Sequence, residues 1–284
     1  MKRILLPVLG IIAITASAAF FSGCGKGGER RREITVVSRE ESSGTRGAFD
    51  ELMNITDGKT NMLFKEAIIV SSTDEAASKV EVDKFAISYT SLGSVTSRVR
   101  ALSIGGVEPS EANVKSGAYK IYRPFVLIEK DGADMPIAAD FLKFVASREG
   151  QGLVSKSGYV HTDTDEEYEP AKLAGKMTIS GSTSVEKVIE RLKEEYEKYN
   201  PGVKVEINYN GSSAGIRDCI NGRSDLAVSS RELKETEKEQ GLNSATFALD
   251  GIAIIVNQSN AITDIRAETV ERVFKGQLRY WDEI

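Results

Sequence analysis

Cysteine and histidine are almost absent from this 284-residue chain, which has two cysteines and one histidine. If Cys24 carries the modification argued below, Cys219 has no partner for an internal disulfide bond, and we expect it to pack as a small apolar residue. The single histidine, His161, excludes a metal site built from several histidines. It also leaves a hydrolase one candidate base, in a Gly-Tyr-Val-His segment without a nearby nucleophile motif. We therefore expect a surface histidine, no metal, no cofactor and no catalytic residue.

A basic surface is also missing. Charged residues make up 28% of the chain and the formal net charge is −5. This balance gives no reason to expect nucleic acid or an anionic membrane surface as a partner. The length is sufficient for two domains, each with its own hydrophobic core.

The N-terminus has the pattern of an export signal. Lys2 and Arg3 precede an apolar run over residues 4–21, and Ser22 and Gly23 stand before Cys24. This order predicts a lipoprotein signal peptide over residues 1–24, cleaved before Cys24 and lipidated on its thiol. Phe21 stands where such signals usually carry leucine, and an uncleaved membrane anchor is the alternative. Residues 25–32, GKGGERRR, have the composition of a polar tether.

After residue 33 predicted strands and helices alternate, which favours an α/β fold. Residues 177–199 show the pattern best, because a short apolar strand turns through Gly-Ser-Thr-Ser into a helix with apolar residues at the 3.6-residue period. Residues 159–175 are acidic and poor in apolar residues, so they read as a linker or exposed loop. The other predicted strands lie within residues 34–37, 67–71, 85–89, 124–128, 203–209, 225–228 and 252–256. One further predicted helix follows residue 45, a short one follows the turn at residues 210–215 and ends at 220, and the others lie within 74–80, 137–145, 150–155 and 269–276.

Four turns that follow predicted strands are rich in Ser, Thr and Gly. They are Ser38–Thr45, Gly181–Ser184, Asn210–Gly215 and Ser229–Glu232. In a doubly wound sheet such turns meet at the carboxyl edge of the strands. Helix N-termini and hydroxyls present donors to an anion, and Arg39 adds a bidentate charge. Simple helix capping is the alternative, and it is strongest for Ser229 and Glu232, which have capping-box spacing.

These turns also carry a family resemblance. TISGSTS, NGSSAGI, DLAVSSRELK, DGIAIIVN, VFKGQLRYW and VVSREESSGTRGAF resemble segments of the phosphate-binding proteins of phosphate ABC transporters, the PstS family. FAISYTSL, SGAYKIYRPFVLIEK and FLKFVASREGQGLV resemble the same family, so the likeness extends from Glu33 to Ile284. The family begins with the GSTS segment, whereas here the SSGTR segment comes first. The chain therefore resembles a circular permutant, or alternatively one window of a duplicated or fused gene.

The resemblance implies an α/β, two-lobe periplasmic-binding-protein-like (type II) fold with a ligand cleft between the lobes. One lobe would comprise residues 117–258, with the GSTS, GSS and SSR loops. The other would comprise residues 33–116 plus 259–284, with the SSGTR loop. A linker through Asp163–Lys176 would join the ends of the unpermuted order.

The resemblance also implies the ligand-binding residues. They are Thr183, Ser184, Ser212, Ser213, Ser230, Arg39, Ser43, Gly44 and Thr45. The chain departs from the pattern at Ser230, where several family members have an aspartate that accepts a proton from phosphate and so rejects sulfate. Glu40, Glu41 or Asp250 could replace that aspartate.

The function implied is that of an extracytoplasmic, lipid-anchored, monomeric protein that binds inorganic phosphate and delivers it to the membrane permease of an ABC transporter. Three alternatives stay open: a binder of another oxyanion such as sulfate, a non-transporting sensor or adaptor, and a hydrolase. The hydrolase has least support, since the chain lacks both a Gly-x-Ser-x-Gly motif and a plausible base.

Overall fold

The computed structural model of the chain describes residues 31–284. The predicted signal peptide, Cys24 and most of the predicted tether lie outside the described residues. The strands are β1 (Thr35–Arg39), β2 (Ile68–Val70), β3 (Ala86–Ser91), β4 (Val99–Ala101), β5 (Ser103–Ile104), β6 (Tyr122–Lys130), β7 (Val160–His161), β8 (Ala174–Gly181), β9 (Gly202–Asn208), β10 (Leu226–Ser229), β11 (Leu242–Asn257) and β12 (Asp264–Ile265).

The helices interleave with these strands, which confirms the α/β prediction. They are α1 (Gly44–Leu52), α2 (Thr73–Val82), α3 (Glu111–Lys115), α4 (Pro136–Ala146), α5 (Arg148–Lys156), α6 (Glu186–Tyr199), α7 (Ser212–Ile220), α8 (Glu235–Lys238) and α9 (Ala267–Phe274). In residues 31–284 no helix has both the length and the apolar character needed to cross a membrane.

Most strands join one curled, mixed sheet. Its order is β2-β1-β3-β11-β6-β10-β8-β9, and β4 and β7 also pair with β11. The pairs β1–β2, β1–β3, β8–β9 and β8–β10 are parallel, while β11 runs antiparallel to β3 and β6. The sequence predicted only residues 252–256 of β11, which has 16 residues. The first part of this strand has four consecutive exposed polar and small residues, 243–246, so no apolar run marks it.

Two large hydrophobic clusters form the core. The Phe141 cluster contains Phe125, Val188, Tyr196 and Phe247, with all its buried members between residues 125 and 248. The apolar face predicted for α6 packs into this cluster, and its residues Val188, Ile189, Leu192 and Tyr196 are fully buried. Cys219 is buried in a smaller cluster, as expected.

The Phe49 cluster contains residues from both ends of the described chain. Ile34 and Phe49 pack with Ile254 and Phe274, and the rings of Phe49 and Phe274 meet edge to face with centroids 4.7 Å apart. Two segments connect the clusters: β11, which contributes Phe247 to one and Ile252 to the other, and the segment that enters β6. Ile121, just before β6, belongs to the Phe49 cluster, whereas Phe125 belongs to the Phe141 cluster.

The predicted linker has no regular structure between β7 and β8, but it is not wholly exposed. Tyr168 is only 8% exposed, and its hydroxyl donates to Asp140 Oδ2 at 2.6 Å. Asn200 Nδ2 donates to the same hydroxyl at 2.7 Å. Composition alone missed this contact, because one aromatic residue is enough to fix an otherwise polar segment on a core.

The two ends of the described chain pair with each other. Ile34 N–H donates to Arg279 O at 2.7 Å, and Trp281 N–H donates to Arg32 O at 2.9 Å. The Trp281 indole N–H donates to Phe85 O at 3.0 Å. The residues on either side of the predicted permutation point are therefore neighbours in space.

Candidate functional site

Four helical N-termini meet at one group of side-chain hydroxyls. Thr45 in α1 lies 2.6 Å from Ser184, in the 3-10 turn that leads into α6. Thr73, the first residue of α2, lies 3.0 Å from Ser184 and 3.2 Å from Thr183. We call this group the hydroxyl cluster, and it consists of Thr45, Thr73, Ser182, Thr183, Ser184, Ser212 and Ser230.

Ser212 and Ser230 complete the hydroxyl cluster. The Ser212 hydroxyl, at the first position of α7, lies 3.3 Å from the Ser230 hydroxyl and accepts the Ser230 N–H at 3.2 Å. Ser230 in turn lies 2.9 Å from the Ser182 hydroxyl and 3.3 Å from the Thr45 hydroxyl. Both residues are fully buried.

Serine side chains cap three of these helical segments. Ser43 accepts the Arg46 N–H of α1, Ser72 accepts the Glu75 N–H of α2, and Ser182 accepts the Ser184 N–H. The cap leaves the next hydroxyl along the chain available for other contacts. Thr45, Thr73 and Ser184 can therefore meet in the hydroxyl cluster. Ser182 is both a cap and a member of that cluster, whereas Ser43, a predicted site residue, serves its own helix.

The turn after β10 differs from its prediction. No helix begins there, since α8 starts at Glu235, and the Ser229 hydroxyl instead accepts the Arg231 N–H at 3.2 Å. The capping-box interpretation of Ser229 and Glu232 was therefore wrong. The fourth helix N-terminus of the site belongs to α2, and it was missed although Ser-Ser-Thr after a predicted strand was a visible signal.

Arg39 ends β1 and touches the hydroxyl cluster. Its side chain is 2% exposed, and it donates to the Thr73 hydroxyl and the Thr183 hydroxyl, each at 3.1 Å. Nε and Nη2 also donate to the two carboxylate oxygens of Glu40 at 3.0 and 2.9 Å. Glu40 thus holds the guanidinium in a fixed orientation and compensates its charge.

Gly44 permits the close approach of α1 to Ser212. A Cβ atom at residue 44 would lie 2.3 Å from the Ser212 hydroxyl oxygen and 2.8 Å from that of Ser230. Ser213, another predicted site residue, does not direct its polar groups at the hydroxyl cluster. Its N–H donates to Ser42 O, and its hydroxyl accepts a hydrogen bond from Arg231 Nη2 at 3.2 Å.

A second guanidinium, which the sequence analysis missed, also reaches the hydroxyl cluster. Arg123 Nη2 donates to the Thr45 hydroxyl at 2.9 Å, and Nη1 lies 2.9 Å from Asp250 Oδ2. Asp250 accepts from the Ser91 hydroxyl at 3.0 Å. Burial raises the pKa of Asp250 to about 6, although Arg123 opposes that rise. Burial lowers the pKa of Arg123, which Asp250 opposes.

The chemistry of the site is that of an anion receptor. Buried hydroxyls, two guanidinium groups and several helical N-termini with positive dipole ends all present hydrogen-bond donors. Within residues 31–284 no group of three or more His, Cys, Asp or Glu side chains could hold a metal ion. His161 is 29% exposed, and its Nε2 lies 3.2 Å from Asp163 on the surface.

The chain matches the family model of the PBP superfamily domain over residues 21–149 and 166–283. The chain therefore belongs to a class of solute-binding proteins, in agreement with its fold and with the anion-receptor chemistry of the site. The phosphate-binding protein PstS 2 of Streptococcus agalactiae serotype V is 38% identical over 99% of this chain and 97% of its own. Its namesake in Streptococcus pneumoniae serotype 4 is 37% identical over 98% of each chain.

A solved structure gives the same result. The phosphate-binding protein of a phosphate ABC transporter from Streptococcus pneumoniae TIGR4 matches with a TM-score of 0.71 and 39% identity, covering 89% of this chain and 99% of its own. The chain therefore belongs to the PstS family of binding proteins within the PBP superfamily.

These comparisons also bear on the order of the segments. The alignment with the Streptococcus agalactiae protein runs through 99% of this chain, so the two proteins share one segment order. This match does not establish a circular permutation, which stays a prediction.

Proposed function

We propose that this chain binds inorganic phosphate outside the cytoplasm and delivers it to the permease of an ABC transporter. The observation that carries the proposal is the meeting of Thr45, Thr73, Ser184 and Ser212, each from the first turn of a different helical segment, beside Arg39. A tetrahedral oxyanion offers several acceptors at once, which matches donors that arrive from several directions. The names of the relatives supply the identity of the oxyanion.

The predicted residues would contribute in two ways. Side chains that already face one another would donate directly, and these are Arg39, Thr45, Thr183, Ser184, Ser212 and Ser230. Ser43, Gly44 and Ser213 would contribute by shaping the loops. Ser43 caps α1, Gly44 permits close packing, and Ser213 uses its N–H on Ser42 and its hydroxyl on Arg231. Hydroxyl-to-hydroxyl contacts would be exchanged for contacts to the ligand.

The binding motion would be a closure of two lobes. The Phe141 and Phe49 clusters would be the two cores. The hinge would be formed by residues 121–125 and by β11, since each of these segments contributes to both clusters. On this basis the chain would cross between the lobes near residues 121–124 and again near residues 249–252. The first crossing lies within a few residues of the predicted lobe boundary at 117, and the second lies somewhat before the predicted boundary at 258. The contacts Thr45–Ser184 and Arg39–Thr183 would then exist in the closed state alone.

Membrane attachment and assembly are further parts of the proposal. A lipid on Cys24 would hold the protein at the outer face of the cell membrane, and the protein would act as a monomer. Mass spectrometry of the membrane-extracted protein would test the first, because an unmodified Cys24 thiol would contradict it. Sedimentation at two protein concentrations would test the second.

A calorimetric titration of residues 26–284 with phosphate and then with sulfate tests the main proposal. Residues 31–284 form one compact unit, so this protein should keep the site. We expect one-site binding of phosphate. Binding of sulfate with equal affinity would instead indicate a general oxyanion binder, which the hydroxyl of Ser230 in place of a proton-accepting carboxylate would permit. No heat from either anion, with a folded circular-dichroism spectrum, would refute the proposal and favour the sensor alternative.

A further inference from the structure

We infer that Arg123 is a second cation that contacts the bound oxyanion, and that Asp250 positions it. This inference rests on the proposed function. The nearest alternative is that the two residues form an ion pair with a structural role only, since they are direct cross-strand partners of β6 and β11.

The hydrogen bonding of Arg123 favours a ligand role. Its side chain is 2% exposed, and only Nη2 has a hydrogen-bond partner, the hydroxyl of Thr45. Among residues 31–284, Nε has no acceptor, and Nη1 lies near Asp250 Oδ2 without hydrogen-bond geometry. Buried donors without acceptors are costly, so a guanidinium that serves only the fold should use them more fully.

The location of Arg123 supports the same conclusion. The Thr45 hydroxyl, to which it donates, contacts both Ser184 and Ser230. Arg39 reaches the same hydroxyl cluster through Thr73 and Thr183. The two guanidinium groups therefore approach one cluster through different hydroxyls, as two cations would around a single tetrahedral anion.

The charges explain why a second cation is needed. Glu40 occupies two donors of Arg39 in a bidentate pair, so Arg39 brings little uncompensated charge to a dianion. Asp250 likewise compensates part of the charge of Arg123, but it lies near one nitrogen only, while Nη2 is directed at Thr45 in the hydroxyl cluster. A buried dianion with a single, compensated cation would be poorly stabilised.

The test compares phosphate affinity in Arg123→Gln, in Asp250→Asn and in the double variant, with unfolding by urea measured on each. Arg100→Gln is the control for loss of one arginine, because Arg100 donates to the carbonyls of Gln258 and Asn260. We expect Arg123→Gln to weaken phosphate binding about tenfold or more and Asp250→Asn to weaken it less. The double variant should bind as weakly as Arg123→Gln, since the ligand contact is still missing.

A purely structural pair predicts a different pattern. The two single variants would then lose affinity equally, and the double variant would recover both stability and wild-type affinity. That recovery, or an affinity for Arg123→Gln within about twofold of wild type, would overturn the inference.

Two further outcomes are distinguishable. If Arg123→Gln does not fold, Arg123→Lys decides, because it keeps the charge and loses the planar fork; unchanged affinity in this variant would refute a contact through the fork. If the wild-type protein itself does not bind phosphate, the proposed function fails and the inference falls with it.

Discussion

Replacement of Gly44 by alanine should weaken phosphate binding without weakening the fold. The added Cβ would lie 2.3 Å from the Ser212 hydroxyl oxygen and 2.8 Å from Ser212 Cβ, well inside contact distance. Gly44 opens α1 without a left-handed backbone, so alanine causes no backbone strain there. Overpacking of this kind typically costs about 1–3 kcal/mol. If α1 and α7 separate to relieve the clash, that cost opposes closure on the ligand and lowers the affinity about five- to 150-fold.

Gly47→Ala is the matched control, because it places the same methyl group one turn later in α1. Its Cβ would meet nothing closer than Arg231 Cδ at 3.7 Å, an ordinary contact distance. Calorimetric titration with phosphate and thermal unfolding should be measured on both variants and on the wild type. Gly47→Ala should bind as the wild type does. If Gly44→Ala also binds within about twofold of wild type, the close approach of α1 and α7 is not part of the liganded state.

Three other substitutions test the site. Arg39→Ala should weaken phosphate binding by about 3 kcal/mol or more in a calorimetric titration, because hydrogen bonds from a charged group contribute about 1.5–3 kcal/mol each; a loss below about 1.4 kcal/mol would contradict a direct contact. Ser212→Ala should reduce affinity more than Ser213→Ala, and the reverse order would show that the loop register is off by one residue. Asp250 has a raised pKa of about 6 in the folded state, so folding is favoured by its protonation, and this stabilisation should be lost as the pH rises from about 4 through about 6. Urea unfolding across that range should show that the free energy of unfolding of the wild type, taken relative to that of Asp250→Asn, declines as the pH rises.

Local patterns predicted the helical N-termini of the site well. The Ser, Thr and Gly turns after β1, β8 and β9 were visible because capping residues and strand ends are encoded by neighbouring residues. Parallel pairing places the ends of β1 and β2 side by side in one half of the sheet, and the ends of β8, β9 and β10 side by side in the other half. The contact of Thr45 with Ser184, 139 residues apart, joins the two halves, whose strands β1 and β8 run in opposite directions, and the local patterns did not predict it.

Long-range charge pairing could not be predicted in the same way. Arg123 and Asp250 are 127 positions apart in sequence, and no local sequence pattern around either residue identifies the other as its partner. A charged residue directly before each of two apolar runs, PFVLI and GIAIIV, was the available signal, since such a residue is seldom buried without a partner. Asp250 was considered as a replacement for the family aspartate, but its partner was not. Only the cross-strand register of β6 and β11 brings the two together.

The composition of the two clusters has a consequence for the order of folding. Every buried member of the Phe141 cluster lies between residues 125 and 248, whereas the Phe49 cluster needs Ile34 together with Phe274 and Leu278. Synthesis proceeds from the N-terminus, and domains generally fold as units. We infer that the Phe141 cluster can assemble on a growing chain before Phe274 and Leu278, which the Phe49 cluster requires, have been synthesised. A chain that stops after residue 258 should accordingly protect the Phe141 cluster from protease and leave the Phe49 cluster open. Equal protection of both would contradict this order.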